Sequence, residues 1–127
     1  MDDEKLYEMA VEAMEYAYAP YSHFKVGAAV LTKSGKVFTG CNVENASYGA
    51  TICGERTAFV KAVSEGHKDI EAIAIAASDD NIVPFPCGIC RQFIFEFGED
   101  IRVILKNSDN KLITYKISEL LPEGFIL

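Results

Sequence analysis

The chain has 127 residues, half of them hydrophobic and 24% charged, with 19 acidic against 12 basic side chains and a formal net charge of −7. That length fits a single domain, residues 1–127, and no apolar run is long enough for a membrane-spanning helix. The lysines and arginines are scattered, none next to another, which argues against a binder of polymeric nucleic acid, because such proteins gain affinity from clustered cations.

The opening Met1-Asp2-Asp3-Glu4-Lys5 lacks the basic and apolar regions of a secretory signal, so a cytoplasmic location is expected. Residues 3–18 carry Leu6, Met9, Ala10, Ala13, Met14 and Ala17 at helical spacing, and Pro20 is expected to stop that helix. Phe24 to Thr32 and Lys36 to Val43 read as two strands joined through Ser34-Gly35. A loop around Gly49 precedes a helix from about Cys53 to Glu65, ended by Gly66. Ile70 to Ala77 is a short apolar run, the pattern of a strand covered on both faces.

Pro84 and Pro86 mark a loop before a third helix, Gly88 to Phe97, closed by Gly98. Ile101 to Lys106 and Leu112 to Tyr115 read as strands turned at Asp109-Asn110, and Ser118 is expected to cap a short last helix, Ser118 to Leu121. Pro122-Glu123-Gly124 then releases an apolar tail, Phe125-Ile126-Leu127. This order predicts an α/β fold: a three-layer α/β/α sandwich around a mixed sheet of about five strands.

Four cysteines, Cys41, Cys53, Cys87 and Cys90, are expected to stay reduced in a cytosolic protein. Two segments carry the chemistry, Cys53-Gly54-Glu55 and Pro86-Cys87-Gly88-Ile89-Cys90. Three thiolates hold zinc tetrahedrally and leave the fourth position to water, the arrangement of a catalytic site. Zinc brings the pKa of that water toward neutrality. Both segments open predicted helices, whose N-terminal ends favour thiolates. Arg56 and Arg91 follow them and can offset the charge of three thiolates. Glu55 lies within reach of the metal's water without being a ligand. A closed four-cysteine structural site using Cys41 is the alternative, although a cysteine inside a predicted strand reads more simply as buried and inert. A redox pair of Cys87 and Cys90 would leave Cys53 and Glu55 without a role.

The combination of Cys-x-Glu with Pro-Cys-x-x-Cys resembles the zinc-dependent nucleoside and nucleobase deaminases. Tyr18-Ala19-Pro20-Tyr21-Ser22-His23-Phe24, Val26-Gly27-Ala28-Ala29, Gly40-Cys41-Asn42-Val43-Glu44-Asn45-Ala46, Glu55-Arg56-Thr57-Ala58 and Leu120-Leu121-Pro122 are similar to the small homotetrameric cytidine deaminases. The likeness runs from about residue 5 to residue 125. It departs at Gly54, where the family usually has Ala, a change that leaves the backbone N–H available.

This resemblance implies one zinc per subunit on Cys53, Cys87 and Cys90, with Glu55 as the catalytic acid and base and Arg56 compensating thiolate charge. The implied reaction is hydrolytic deamination of free cytidine and 2′-deoxycytidine, with release of ammonia, in pyrimidine salvage. It further implies that Asn42 and Glu44 bind the ribose, Phe24 packs beside the base, and the Gly54 N–H meets the C2 carbonyl. Phe125 would stack on the base in a neighbouring subunit's site, with Tyr48 facing such a site, in a homotetramer with shared active sites. The antibiotic blasticidin S is a rival substrate, and a zinc-stabilised binding protein without turnover is a rival of another class. His23 and His67 are needed for none of this, and His67, after Gly66, reads as a surface residue.

Overall fold

A computed structural model describes all residues, 1–127. Its helices are α1 (Asp3–Ala13), α2 (Gly54–Ser64), α3 (Gly88–Phe95) and α4 (Ile117–Leu120). The strands are β1 (Val26–Thr32), β2 (Val37–Cys41), β3 (Ile70–Ala77), β4 (Arg102–Lys106) and β5 (Leu112–Lys116). They form one sheet in the order β2-β1-β3-β4-β5. Only β3 and β4 run parallel; β1 pairs antiparallel with both β2 and β3, and β5 antiparallel with β4.

Alternation along the strands sorts the core into two layers. Ala28, Val30, Ile73, Ile75, Val103 and Leu105 face Ala58, Phe59 and Ala62 of α2, Ile94 and Phe95 of α3, and Ile117 of α4. The opposite face offers Ala29, Leu31, Ala72, Ala74, Ala76 and Ile104 to Leu6 and Ala10 of α1. Along β3 the isoleucines lie on the face of α2 and α3, and the alanines beneath α1 leave room for that helix to sit close. The three-layer α/β/α arrangement with a mixed five-stranded sheet is the fold expected from the element order.

Two glycines set how closely the helices approach. A Cβ on Gly27 would lie 2.0 Å from the Ala10 carbonyl oxygen of α1, and one on Gly40 2.4 Å from the Ala58 nitrogen of α2. Real Cβ atoms do not approach backbone that closely, so these contacts need glycine. Through Gly40, β2 fixes α2 and with it the position of that helix's N-terminus.

Several boundaries differ from the sequence reading. The first helix ends at Ala13, followed by a 3-10 turn, Met14–Tyr16, well before Pro20. Beyond it, Tyr18 donates its N–H to the Asn42 carbonyl and accepts from the Glu44 N–H, so tertiary backbone pairing ends the helix early. Phe24 and Lys25 lie outside β1, and Asn42 and Val43 outside β2. The third helix stops at Phe95. In α4, Ser118 is the second helical residue rather than the cap; the Glu119 carboxylate accepts from the Lys116 N–H at 2.8 Å instead. His67 is half-buried, its ring packed on Phe38 at 5.2 Å between centroids, not free on the surface.

Candidate active site

The end of the sheet at which β3 finishes and β1 begins is covered by the N-termini of α2 and α3. Cys53 and Cys87 occupy the N-cap positions in extended conformation, and neither side chain makes a capping hydrogen bond. A serine or aspartate there would turn back onto the helix. Cysteine leaves its sulfur free to face outward. Cys90, one turn into α3, is fully buried. The sulfurs of Cys53, Cys87 and Cys90 all lie within 4.8 Å of one another, with Cys53 and Cys87 3.9 Å apart. Zinc–sulfur bonds of about 2.3 Å at tetrahedral angles separate two sulfurs by about 3.8 Å. The trio therefore fits zinc. Cys41 is not part of it, and the four-cysteine site does not assemble.

Charge is arranged to suit thiolates. Arg56 Nη2 donates to Cys53 Sγ at 3.5 Å, and its Nε is buried without a hydrogen-bond partner. The Cys90 thiol, then Arg56 and Cys87, hold the Cys53 thiol down to about 5 against the opposing effect of burial. The Cys90 thiol is pushed up by the neighbouring Cys53 sulfur and by its own burial. The metal-free trio thus keeps at least one proton that a cation would displace.

Arg91 does something else than expected. Its Nε donates to the Pro86 carbonyl at 2.7 Å and its Nη1 to the Leu120 carbonyl at 2.8 Å. It ties the start of α3 to the last turn of α4, bracing Cys87 and Cys90 without touching sulfur.

Glu55 is 5% exposed, at the second position of α2. Burial, then the Cys53 thiolate, push its carboxyl up to about 7. A carboxyl balanced near neutrality can both take and return a proton. Above it opens a cavity of about 380 Å³ lined by Phe24, Val26, Asn42, Glu44, Thr51, Cys53, Gly54, Glu55 and Cys87, with Ser22 at its rim and Ile82 to Phe85 as one wall.

Asn42 is 8% exposed and already engaged at both ends: Nδ2 donates to the Phe24 carbonyl at 2.8 Å, and Oδ1 accepts from the Val26 N–H at 2.9 Å. One amide proton and one lone pair remain. Glu44 accepts from the N–H groups of Tyr21 and Ser22, both at 3.0 Å, and from the Ser22 hydroxyl. Those bonds, the Ser22 hydroxyl first, hold its carboxyl below the usual range.

The structure thus gathers Phe24, Asn42, Glu44, Cys53, Gly54, Glu55 and Cys87 around one cavity, with Cys90 completing the sulfur trio. Tyr48 does not line it; it stacks edge-on against Tyr21 beside an adjoining hollow with Ser22, Glu44 and Thr51. Phe125, 67% exposed, stands outside as well, held by paired backbone bonds to the Gln92 side chain. An alanine Cβ at Gly54 would meet the Val26 carbonyl oxygen at 3.2 Å, so the family's usual residue fits here only after a small shift of β1.

Sequence reasoning gave no role to Ser22, Thr51 or the wall Ile82–Phe85. The one available signal was Pro84-Phe85-Pro86, whose two prolines force an extended segment that presents the phenylalanine.

A family model described as the cytidine and deoxycytidylate deaminase zinc-binding region matches residues 1–106. A probable cytidine deaminase of Dictyostelium discoideum is 50% identical over 122 residues, 96% of this chain and 82% of the relative. A cytidine deaminase of Halalkalibacterium halodurans is 50% identical over 126 residues, 98% and 95% of the two chains. A blasticidin-S deaminase of Bacillus cereus is 34% identical over 127 residues, 94% and 89% of the two. The crystal structure of cytidine deaminase from Burkholderia pseudomallei matches with a TM-score of 0.92 at 45% identity, over 98% of this chain and 100% of that one. Fold, sulfur trio and sequence agree: the chain belongs to the cytidine and deoxycytidylate deaminase family and is a zinc-dependent hydrolase.

Proposed function

We propose that this enzyme hydrolyses the exocyclic amine of free cytidine and 2′-deoxycytidine, giving uridine or 2′-deoxyuridine and ammonia. The observation that carries the reading is the buried Glu55 carboxyl at the floor of a cavity whose wall holds two of the three converging sulfurs. Cys53, Cys87 and Cys90 would hold the zinc, which would supply a water made nucleophilic at neutral pH. Glu55 accepts the proton of that water and delivers it to N3 of the pyrimidine as the water adds at C4. Glu55 then takes the remaining proton from the hydroxyl added at C4 and passes it to the amine, which leaves as ammonia as the C4–N bond breaks and the C4 carbonyl forms. Arg56 balances the thiolate charge.

The rest of the cavity orients the nucleoside. Phe24 packs beside the base, and the Gly54 N–H, unpartnered by its own helix as a first-turn donor, meets the C2 carbonyl. Glu44 accepts from the 3′-hydroxyl, with the spare Asn42 amide proton beside it. A carboxylate accepts from a free hydroxyl and repels a phosphate attached there, which favours a nucleoside with a free 3′-hydroxyl over a 3′-phosphorylated nucleotide or a polymer. Exposed Val43, Tyr48, Ile52, Val60, Ile89 and Phe125 support a homotetramer in which Phe125 and Tyr48 complete neighbouring sites. Pyrimidine salvage in the cytoplasm is the setting that suits such a substrate. No helix is long and apolar enough to cross a membrane.

The relative named blasticidin-S deaminase supports one competing substrate, and the same assay separates the two. Zinc-loaded protein is given cytidine or blasticidin S while ultraviolet absorbance and ammonia are followed. Turnover of cytidine well above the antibiotic upholds the reading; the reverse order replaces it, and no ammonia from either points to a binding protein.

A further inference from the structure

The Pro20–Phe24 turn does more than border the cavity. His23 sits in the left-handed region, at φ 57°, and its N–H donates to the Ala19 carbonyl at 3.0 Å. In this tight turn the successive N–H groups of Tyr21 and Ser22 converge on one oxygen of Glu44, Oε1. The Ser22 hydroxyl reaches the other oxygen, Oε2, while accepting from the Phe24 N–H at 3.0 Å. With that N–H in place, the single hydroxyl proton of Ser22 is directed to Glu44; its approach to the Phe24 carbonyl, at 3.5 Å, is the longer alternative.

An ionised carboxylate offers about four acceptor sites. Oε1 uses two and Oε2 one, so one remains, on the oxygen that Ser22 fixes. Ser22 and Glu44 both line the cavity that contains Cys53 and Glu55. A single remaining acceptor suits a single hydroxyl.

We propose that Ser22 is a positioning residue that sets sugar selectivity: its hydroxyl holds Glu44 so that the last free acceptor of Oε2 receives the nucleoside's 3′-hydroxyl. This rests on the reading of Glu44 as the sugar acceptor given above. Without the Ser22 hydroxyl, Oε2 loses its fixed direction and the Phe24 N–H loses its acceptor. The sugar contact weakens, while the sulfur trio and Glu55 are untouched.

The test uses zinc-loaded Ser22→Ala, Ser22→Thr and Glu44→Gln proteins with cytidine and 3′-deoxycytidine, zinc content and melting temperature being checked first. For Ser22→Ala, KM for cytidine rises about tenfold, the order expected for weakening a hydrogen bond to a charged group. Its kcat stays near wild type, and KM for 3′-deoxycytidine changes less than about twofold. Ser22→Thr restores the wild-type ratio. Ser22→Cys, a weaker donor of similar size, gives an intermediate ratio and reads the same effect if the alanine variant is unstable. Equal losses on both substrates, or an unchanged KM for cytidine, would overturn the proposal. Glu44→Gln separates the two levels: if it also leaves discrimination intact, Glu44 is not the sugar acceptor; if it abolishes discrimination and Ser22→Ala does not, only the role of Ser22 is lost.

Discussion

Arg56 Nη2 stands 3.5 Å from Cys53 Sγ, one helical turn away along α2, with its Nε buried and unpartnered. The guanidinium is committed to the sulfur cluster, since its other contact is a long one to the Thr51 carbonyl at 3.4 Å. Arg56→Gln is expected to weaken zinc binding by roughly 10–100-fold, the usual effect of removing a group that supports metal ligands. Competition with a chelator measures this, and unchanged affinity would show that the arginine does not balance the thiolates.

Ligand identity is tested by zinc content. Cys53→Ala, Cys87→Ala and Cys90→Ala each lose the metal, whereas Cys41→Ala, outside the trio, keeps one zinc per chain. Loss of zinc from the Cys41 variant would restore the four-cysteine site.

Glu55→Gln keeps its zinc and loses roughly 10²–10⁴-fold in kcat if the carboxylate carries the protons. Near-normal turnover by the variant would remove Glu55 from the mechanism.

The same substitution gives a pH prediction for protein stripped of metal. Folding pushes the Glu55 carboxyl up to about 7, through burial first and the Cys53 thiolate next. The folded state therefore binds this proton more tightly than the unfolded chain, whose carboxyl titrates near 4.3. Stability tied to Glu55 is fully present below about pH 4 and is lost as pH rises toward 7. Metal-free Glu55→Gln should match wild type at pH 4 and exceed it by roughly 3 kcal/mol at pH 8. Urea unfolding at the two pH values checks this, and parallel curves for both proteins would contradict it.

Gly40→Ala should cost about 1–3 kcal/mol, the usual range for overpacking, because its Cβ would meet the Ala58 nitrogen at 2.4 Å. To make room α2 must move, carrying Cys53 and Glu55 with it. Activity should fall by more than the unfolded fraction explains, and activity that tracks only the folded fraction would mean α2 adapts without disturbing the site.

By itself the sequence determined the fold class, all five strands and the chemistry of the metal. Ile70–Ala77 was legible to the residue because an apolar run covered on both faces has abrupt ends. The convergence of Cys53, Cys87 and Cys90, with Glu55 buried beside them, was legible because metal chemistry ties residue type to short spacing, two cysteines on one helix turn and a carboxyl two residues from the third. Tertiary structure alone decided what depends on long-range backbone partners. Tyr18 leaves the first helix because the Asn42–Glu44 backbone takes its hydrogen bonds, something no local propensity encodes. Arg91 follows Cys87 and Cys90 in sequence yet serves the Leu120 carbonyl, because the direction of a long side chain is set by what packs opposite it. Ser22 and Glu44 are 22 residues apart and carry no joint signal in one sequence. Only folding of the Pro20–Phe24 turn against the end of β2 brings that hydroxyl to that carboxylate.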